Sequence, residues 1–427
     1  MSAITSVLET LSQQLKDKKT VVMESVESSF LDDCFDLTCS DQILWWKAKG
    51  SQQRFLGVGP QLTLKTRPEL ERALDKYPHI FGAMAFDSIK TKTSQLWQDY
   101  HPIHFIVPEY LLVNEGNKLT VHHTAQHPSP LTYYFGHTDI DQSKSDTQYP
   151  FKLHHESSSL NEWNGLITKA LKQIQDKKGK KVVLSRMSHY KSDVKINPQA
   201  IFKRARAHSS NTYEFYFQLN KTQTFLSLTP ETLYKKNDHD VTIDALAGTK
   251  ARSAHPDQDH QLGQDLMASD KDLREHEYVC EHIENNLKGL GTIARDQTTL
   301  LKLSTVQHIH TPIKLKLKKT LGPLALIDKL HPTPAVGGTP TEWAKKFIRE
   351  CEPYERGLYA APIGHLSLGD EEFAVAIRSI LIDHNDAYLF GGCGIVEGSD
   401  PQQEWQESQD KTKHLLQALT GVKEGHS

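Results

Sequence analysis

The stretch "YEFYFQLNKTQTFLSLTPETLYKKNDHDVTIDALAG", residues 213–248, breaks into four short runs: "YEFYFQL", "TFLSLTP", "TLYKKN" and "VTIDALAG". Each is rich in aromatic and β-branched residues and is bounded by polar turn residues, so each reads as a β-strand. "KVVLSR" (181–186) opens the series. An earlier series lies between about 41 and 135, with "QILWWKAKG", "RFLGVG", "IFGAMAF" and "PIHFIVPEYLLV" as strands joined by glycine turns. A later one holds "GLYAAPIGHLSL", "EFAVAIRSILI" and "DAYLFGGCGIV". Helical periodicity marks residues 1–20, 161–180, about 257–290, 322–330, 340–352 and 401–420. Strand runs, then helices, then strands again predict an α+β protein with large, mainly antiparallel sheets and flanking helices. The two main strand series are compatible with an internal duplication, although they do not align convincingly. Residues 136–160 are polar and poor in core residues, which predicts a long surface loop or a boundary between halves. The chain therefore divides into an N-terminal part, 1–160, and a second part, 161–427.

The 427 residues carry 50 Lys+Arg and 53 Asp+Glu, a net charge of −3, which gives no support for a nucleic-acid partner. No apolar run approaches the roughly 20 residues of a membrane span. The N-terminal "MSAITSVLETLSQQLKDKK" reads as a polar amphipathic helix rather than a signal peptide. Five cysteines (34, 39, 280, 351, 393) are odd in number and show no CxxC spacing, so free thiols in a reducing cytoplasm are expected. Histidine-rich pieces such as "HHTAQH", "LHHE" and "HIH" lack zinc-ligand spacing and read as surface. Oligomeric state has no signature in the sequence; a monomer is expected.

Two helices carry acids on their inward side. In "KDLREHEYVCEHIENNL" (271–287), Val279, Ile283 and Leu287 define an apolar face. Asp272 falls within that face, and Glu275 sits at its edge. In "SDPQQEWQESQDK" (399–411), Asp400 is the expected N-cap, with Pro401 at the first helical position. Glu404, Glu407 and Lys411 lie on the same side as Leu415, Ala418 and Leu419. Acids are rarely buried unless paired or bound to a cation. Two such pairs point to a hard-cation site, and all-oxygen ligands suit Mg²⁺. The competing reading is two exposed helix ends with arginine partners, Glu407 and Lys411 being simply an i, i+4 pair.

Other signals are weaker singly. "KKVVLSR" (180–186) puts a lysine at the mouth of an apolar strand, and "TPETLY" puts Glu231 at a strand entry. "DALAGTKARS" (244–253) runs from a strand into a Gly-Thr turn whose N–H groups suit a carboxylate. "FGGCGIV" (390–396) is a glycine-rich strand end, a mark of close ligand approach. "AIRS" places Arg378 within an apolar strand, where it wants a carboxylate. There is no GxxxxGK[ST] phosphate cradle, which argues against a Mg²⁺-dependent phosphoryl-transfer enzyme.

In order, "KVVLSR", "TPETLY", "ALAGT", "SDKDLREHEYV", "LHPTPAVGG", "ERGLYAAPIG", "AIRS", "GGCGIV" and "SDPQQEWQESQDK" resemble the chorismate-utilising enzyme family over roughly residues 165–420. Within that family the likeness is greatest to the isochorismate-forming members of menaquinone biosynthesis. The resemblance implies that 161–427 binds chorismate and that 1–160 is the variable part of the same fold. It implies Lys181 as general base and Glu231 as general acid. It implies Mg²⁺ held by Glu275 and Glu407, with Asp272 and Glu404 in support. Arg378 and Tyr359 match residues that hold the enolpyruvyl carboxylate, and Gly248, Thr249, His331, Gly392, Gly394 and Lys411 match residues lining the pocket. Lys181 is absent from ammonia-using relatives, and Ala247 stands where aminodeoxychorismate synthases carry a nucleophilic lysine. Water is then the nucleophile and isochorismate the product. The alternatives are salicylate, formed by further loss of pyruvate, and isochorismate supply for siderophores. A binding protein that kept the fold and lost catalysis is disfavoured, because both acid–base residues and the two principal metal acids are present.

Overall fold

The computed structural model describes residues 3–89, 95–136, 150–302 and 306–421, without the side chains of Ala3, Pro60, Gln61, Gln95, Lys271 and Glu275. The chain opens with α1 (Ala3–Gln14), β1 (Thr20–Met23) and α2 (Phe30–Leu37). It continues with β2 (Ile43–Lys47), β3 (Gln53–Leu64), α3 (Arg67–Leu74), β4 (Ile80–Met84), β5 (Ile103–Glu115) and β6 (Lys118–His123). Next come β7 (Phe151–Glu156), α4 (Leu160–Gln175), β8 (Lys181–Ser192), α5 (Pro198–Ala207), β9 (Tyr213–Gln218), β10 (Gln223–Thr229), β11 (Thr232–Asn237) and β12 (Asp240–Ala251). Then follow α6 (Pro256–Met267), α7 (Asp270–Leu287), β13 (Gly291–Arg295), β14 (Thr299–Lys302), β15 (Val306–Leu317), α8 (Ala325–Leu330), β16 (Gly338–Thr339) and α9 (Thr341–Cys351). β17 (Pro362–Leu366), β18 (Asp370–Val375), β19 (Ser379–Asp383), β20 (Asp386–Ile395), α10 (Pro401–Asp410) and α11 (Lys413–Thr420) close the described chain.

Every strand pairing among the described residues is antiparallel. The hydrogen bonds trace two arms that meet at β5. One runs β1-β6-β5-β3-β2-β9-β10-β19-β20-β8-β7. The other runs β5-β4-β17-β18-β11-β12-β15, with β13 and β14 on the far edge of β15. The N-terminal part is thus built into both arms, through β2 on β9 and β4 on β17.

The first arm is apolar on both faces, which explains its continuous hydrophobic runs. Successive side chains of a strand alternate sides. Trp46, Phe215, Phe217 and Phe225 join the core shared with the second arm, alongside Tyr234, Phe373 and Ile363. Trp45, Tyr216 and Leu226 point the other way, into a core capped by Leu11, Phe35, Phe202 and Leu419 from α1, α2, α5 and α11.

Several elements differ from the sequence expectation. Residues 151–156 form edge strand β7, paired with β8, instead of loop; 137–149 of the expected loop lie outside the described residues. β15 was hidden because alternating lysine, histidine and threonine mask its apolar side, and β13 and β14 because they are only five and four residues long. The helix expected over 257–290 is two, each with its own start, Ser269 capping α7 through Asp272 N. The closing helix is also two, α10 and α11, separated at Lys411 and Thr412.

A buried ion pair ties these layers together. Glu352, just after α9, and Arg356 lie 2.6 Å apart with side chains 0% and 2% exposed. Arg356 also donates to the carbonyls of Val336 and Val183, each at 2.8 Å. Glu352 accepts from the backbone N–H and hydroxyl of Ser185, at 2.8 and 2.9 Å. The pair therefore clamps β8 to the 331–338 loop. Removing one partner leaves the other charge buried and unpaired, so Arg356→Met is expected to lose about 3–5 kcal/mol of stability in chemical denaturation. The double variant Glu352→Gln/Arg356→Met should lose less. A loss in Arg356→Met no larger than a surface substitution would contradict this role.

Candidate active site

The site forms where the chain twice crosses from one arm to the other. β10 leads through Pro230 and Glu231 into β11, and β18 leads through Ile377 and Arg378 into β19. The crossovers are bonded to each other: Val375 N donates to the Glu231 carbonyl at 3.0 Å, and Leu228 N to the Arg378 carbonyl at 3.1 Å. Arg378 therefore sits at a break between strands, with φ of 50°, and not within a strand as its apolar surroundings predicted.

Lys181 starts β8 beside this junction. Its backbone is held by the pairing of Lys181 with Thr339, while Lys180 N and Val183 N donate to Thr339 and Gly337 carbonyls at 2.8 Å. The side chain passes over Gly394: a methyl group there would lie 2.9 Å from Lys181 Cε and 3.6 Å from Nζ. Lys180 instead turns its ammonium over the Tyr278 ring on α7, at 4.6 Å.

Burial pushes the Glu231 carboxyl up to about 7, although Lys181, Lys411 and Lys49 all favour its ionised form. A half-ionised carboxyl beside a lysine is the combination that acid–base chemistry near neutral pH needs.

Gly248 does not sit in a turn. It forms a bulge with φ of 74° in the continuing strand β12, between the register pairs Ala247–Ile309 and Thr249–His308. A side chain there would meet Asp272 Cβ at 3.2 Å, so the bulge lets the start of α7 approach. The Thr249 hydroxyl contacts His308 Nδ1 at 2.9 Å. His308 is held down to about 4 by burial, with Arg378, Lys411 and Lys49 adding to the effect. These relations bring Gly248, Thr249, Arg378, Lys411, Lys181 and Glu231 to one locality. Tyr359 stacks on Phe390 at 5.2 Å, and burial raises its phenol; its hydroxyl lies beside Gly392. Lys411 donates to the Gly392 carbonyl at 2.9 Å. His331 packs edge-on to Phe86 at 5.4 Å, and burial holds it down to about 3.

The acids divide. α10 is fixed on β8 by Arg186, which stacks on Trp405 at 3.6 Å and donates to Ser408 at 2.9 Å. Glu404 is half-buried and its Oε2 is enclosed without a hydrogen-bond partner; burial raises its carboxyl and neighbouring Glu407 adds to that, against hydrogen bonding of the carboxylate by Ser399 and Cys393. Glu407 is less enclosed than its helix position predicted. It is 49% exposed and pairs with Lys411 at 2.7 Å. Such a pair contributes about 0–1 kcal/mol and opens easily. The Glu275 side chain lies outside the described residues. Among the described residues no group of three or more His, Cys, Asp or Glu is spaced to hold a metal. The orphaned oxygen of Glu404 is the feature that fits a cation.

Sequence reasoning missed Lys49 and His308. Lys49 lies in a strand-end stretch that carries no motif, and His308 was read as surface; only the β12–β15 register and the β2–β3 turn bring them here.

The model of the family described as "Chorismate binding enzyme" matches residues 44–420. Isochorismate synthase MenF of Bacillus subtilis (strain 168) is 35% identical over 356 residues, 81% of this chain and 75% of that protein. Isochorismate synthase MenF of Escherichia coli (strain K12) is 37% identical over 261 residues, 60% of each. The solved structure of MenF, the menaquinone-specific isochorismate synthase from Escherichia coli, superposes with a TM-score of 0.85 at 27% identity, covering 98% of this chain and all of that one. With a family match spanning both arms and both crossovers, the chain belongs to the chorismate binding enzyme family.

Proposed function

We propose that the chain is an isochorismate synthase that converts chorismate to isochorismate by adding water at ring C2 and losing the C4 hydroxyl, and that its product serves menaquinone synthesis. The observation that carries this reading is the Glu231 carboxyl, raised to about 7 and facing Lys181. Water attacking C2 must give up a proton, and Lys181 is the base positioned to take it. The C4 hydroxyl is a poor leaving group and must receive one, and Glu231 is the acid that still holds a proton near neutral pH. Arg378 and Tyr359 hold the enolpyruvyl carboxylate, partial burial lowering the Arg378 guanidinium from its ordinary range. Thr249, Gly248, His331, Gly392, Gly394 and Lys411 shape the rest of the pocket. Ala247 offers no amine that could replace water as nucleophile.

Mg²⁺, held by Glu275 and Glu407 with Asp272 and Glu404 in support, would neutralise and orient the ring carboxylate. The orphaned Glu404 oxygen and the easily opened Glu407–Lys411 pair support that assignment.

Lys181→Ala is expected to reduce isochorismate formation by about 100-fold or more while calorimetry still shows chorismate binding. Wild type should form isochorismate without stoichiometric pyruvate. Near-normal turnover by the variant would remove the base assignment, and salicylate with equal pyruvate would replace the product. Glu407→Gln should raise the Mg²⁺ concentration needed for half-maximal rate and weaken chorismate binding together. An unchanged Mg²⁺ titration would contradict the ligand role.

A further inference from the structure

The β2–β3 turn carries a lysine into the catalytic junction. Lys49 is half-buried, and its Nζ donates to the Pro230 carbonyl at 3.0 Å. Pro230 immediately precedes Glu231. The Glu231 main chain is held on its other atoms, N–H by the Thr229 hydroxyl at 3.2 Å and carbonyl by Val375 N at 3.0 Å. Lys49 holds the third polar atom of this stretch, the Pro230 carbonyl, on the peptide that leads into Glu231. The turn reaches this place because β2 pairs with β9 in register up to Lys47–Glu214.

The charges around the two groups come from several elements. Glu231 faces Lys181 from β8, Lys411 from the end of α10 and Lys49 from the β2–β3 turn, with Thr333 also beside it and Tyr359 within its field. Lys49 faces Asp244 on β12, Lys235 on β11 and Glu231, and it is felt by His308 on β15. Asp244 is engaged by His310 at 2.8 Å, so it is not committed to Lys49 alone.

We propose that Lys49 is a positioning residue for Glu231: its ammonium fixes the Pro230 carbonyl, and so the acid's direction, while adding one of the three lysine charges that face the carboxyl. The role rests on the reading of Glu231 as general acid. It gives the β2–β3 turn, far from Glu231 in sequence, a direct share in the chemistry.

The test is kcat and KM for chorismate across pH with Lys49→Met, Lys49→Arg and Glu231→Gln. In wild type, kcat should fall as pH rises through about 7, where Glu231 loses its proton. Lys49→Met should lower kcat about tenfold, leave KM within about twofold and move that alkaline fall upward by about half a unit, because a cation favouring the ionised acid has gone. Lys49→Arg keeps the charge but not the hydrogen-bond geometry, so its kcat should be intermediate and its alkaline fall should match wild type. If Lys49→Met does not fold, that pattern in Lys49→Arg still supports the role, and wild-type kcat in Lys49→Arg overturns it. A raised KM at wild-type kcat would make Lys49 a substrate contact and overturn the positioning role. An unchanged kcat and pH profile in Lys49→Met, with Glu231→Gln inactive, would overturn it while leaving Glu231 as the acid. An active Glu231→Gln would overturn the acid assignment itself, and the role of Lys49 with it.

Discussion

The buried pair of Glu352 and Arg356 is the constraint on which the rest of the catalytic geometry depends. Taking two charges out of water costs several kcal/mol per ion, and only close approach and complete hydrogen bonding offset that. Both conditions are met: Arg356 bonds the carboxylate and two carbonyls, and Glu352 accepts from Ser185 as well. Every one of these bonds ends on β8, on the 331–338 loop or on the segment after α9. β8 in turn presents Lys181 at its mouth and Arg186 further along, and Arg186 seats the acid-bearing helix α10 through Trp405 and Ser408. One clamp thus sets Lys181, the loop bearing His331 and the helix bearing Glu404 and Glu407.

Opposed electrostatic effects decide the state of Glu231. Three lysines face it, and an opposite charge within about 4–6 Å ordinarily lowers a carboxyl by one to three units. The carboxyl nevertheless stays near 7, so loss of solvent outweighs all three cations. Lys181, Lys411 and Lys49 come from three separate parts of the chain. The crossovers of β10–β11 and β18–β19 are what let them converge, because strands leaving one arm for the other open the sheet to side chains from both.

The fold was legible in the sequence wherever strands are buried on both faces. "YEFYFQL" and "ILWWK" are continuous apolar runs because Trp45 and Trp46, or Tyr216 and Phe217, enter opposite cores. It was not legible where lysines and histidines occupy a partly wet face, as in β15, or where a strand ends without a breaker, as at Arg378. Lys181 and Glu231 stood out through ordered motifs. Lys49 and His308 had no local mark: a lysine in "KAKG" and a histidine in "HIH" look like surface residues until strand register places them. For Glu407, helical periodicity reports the side on which it meets Lys411, and not how far its carboxylate stays open to solvent.

The account turns on water as nucleophile at C2 with the C4 oxygen leaving. The measurement that tests this most directly is turnover of chorismate in heavy-oxygen water, with the product mapped by mass spectrometry and NMR. The account predicts isochorismate carrying one solvent oxygen, on C2, with formation dependent on both Lys181 and Glu231. Unlabelled isochorismate would mean that the hydroxyl migrates within the substrate, and would contradict the assignment of Lys181 and Glu231 as base and acid of a water substitution.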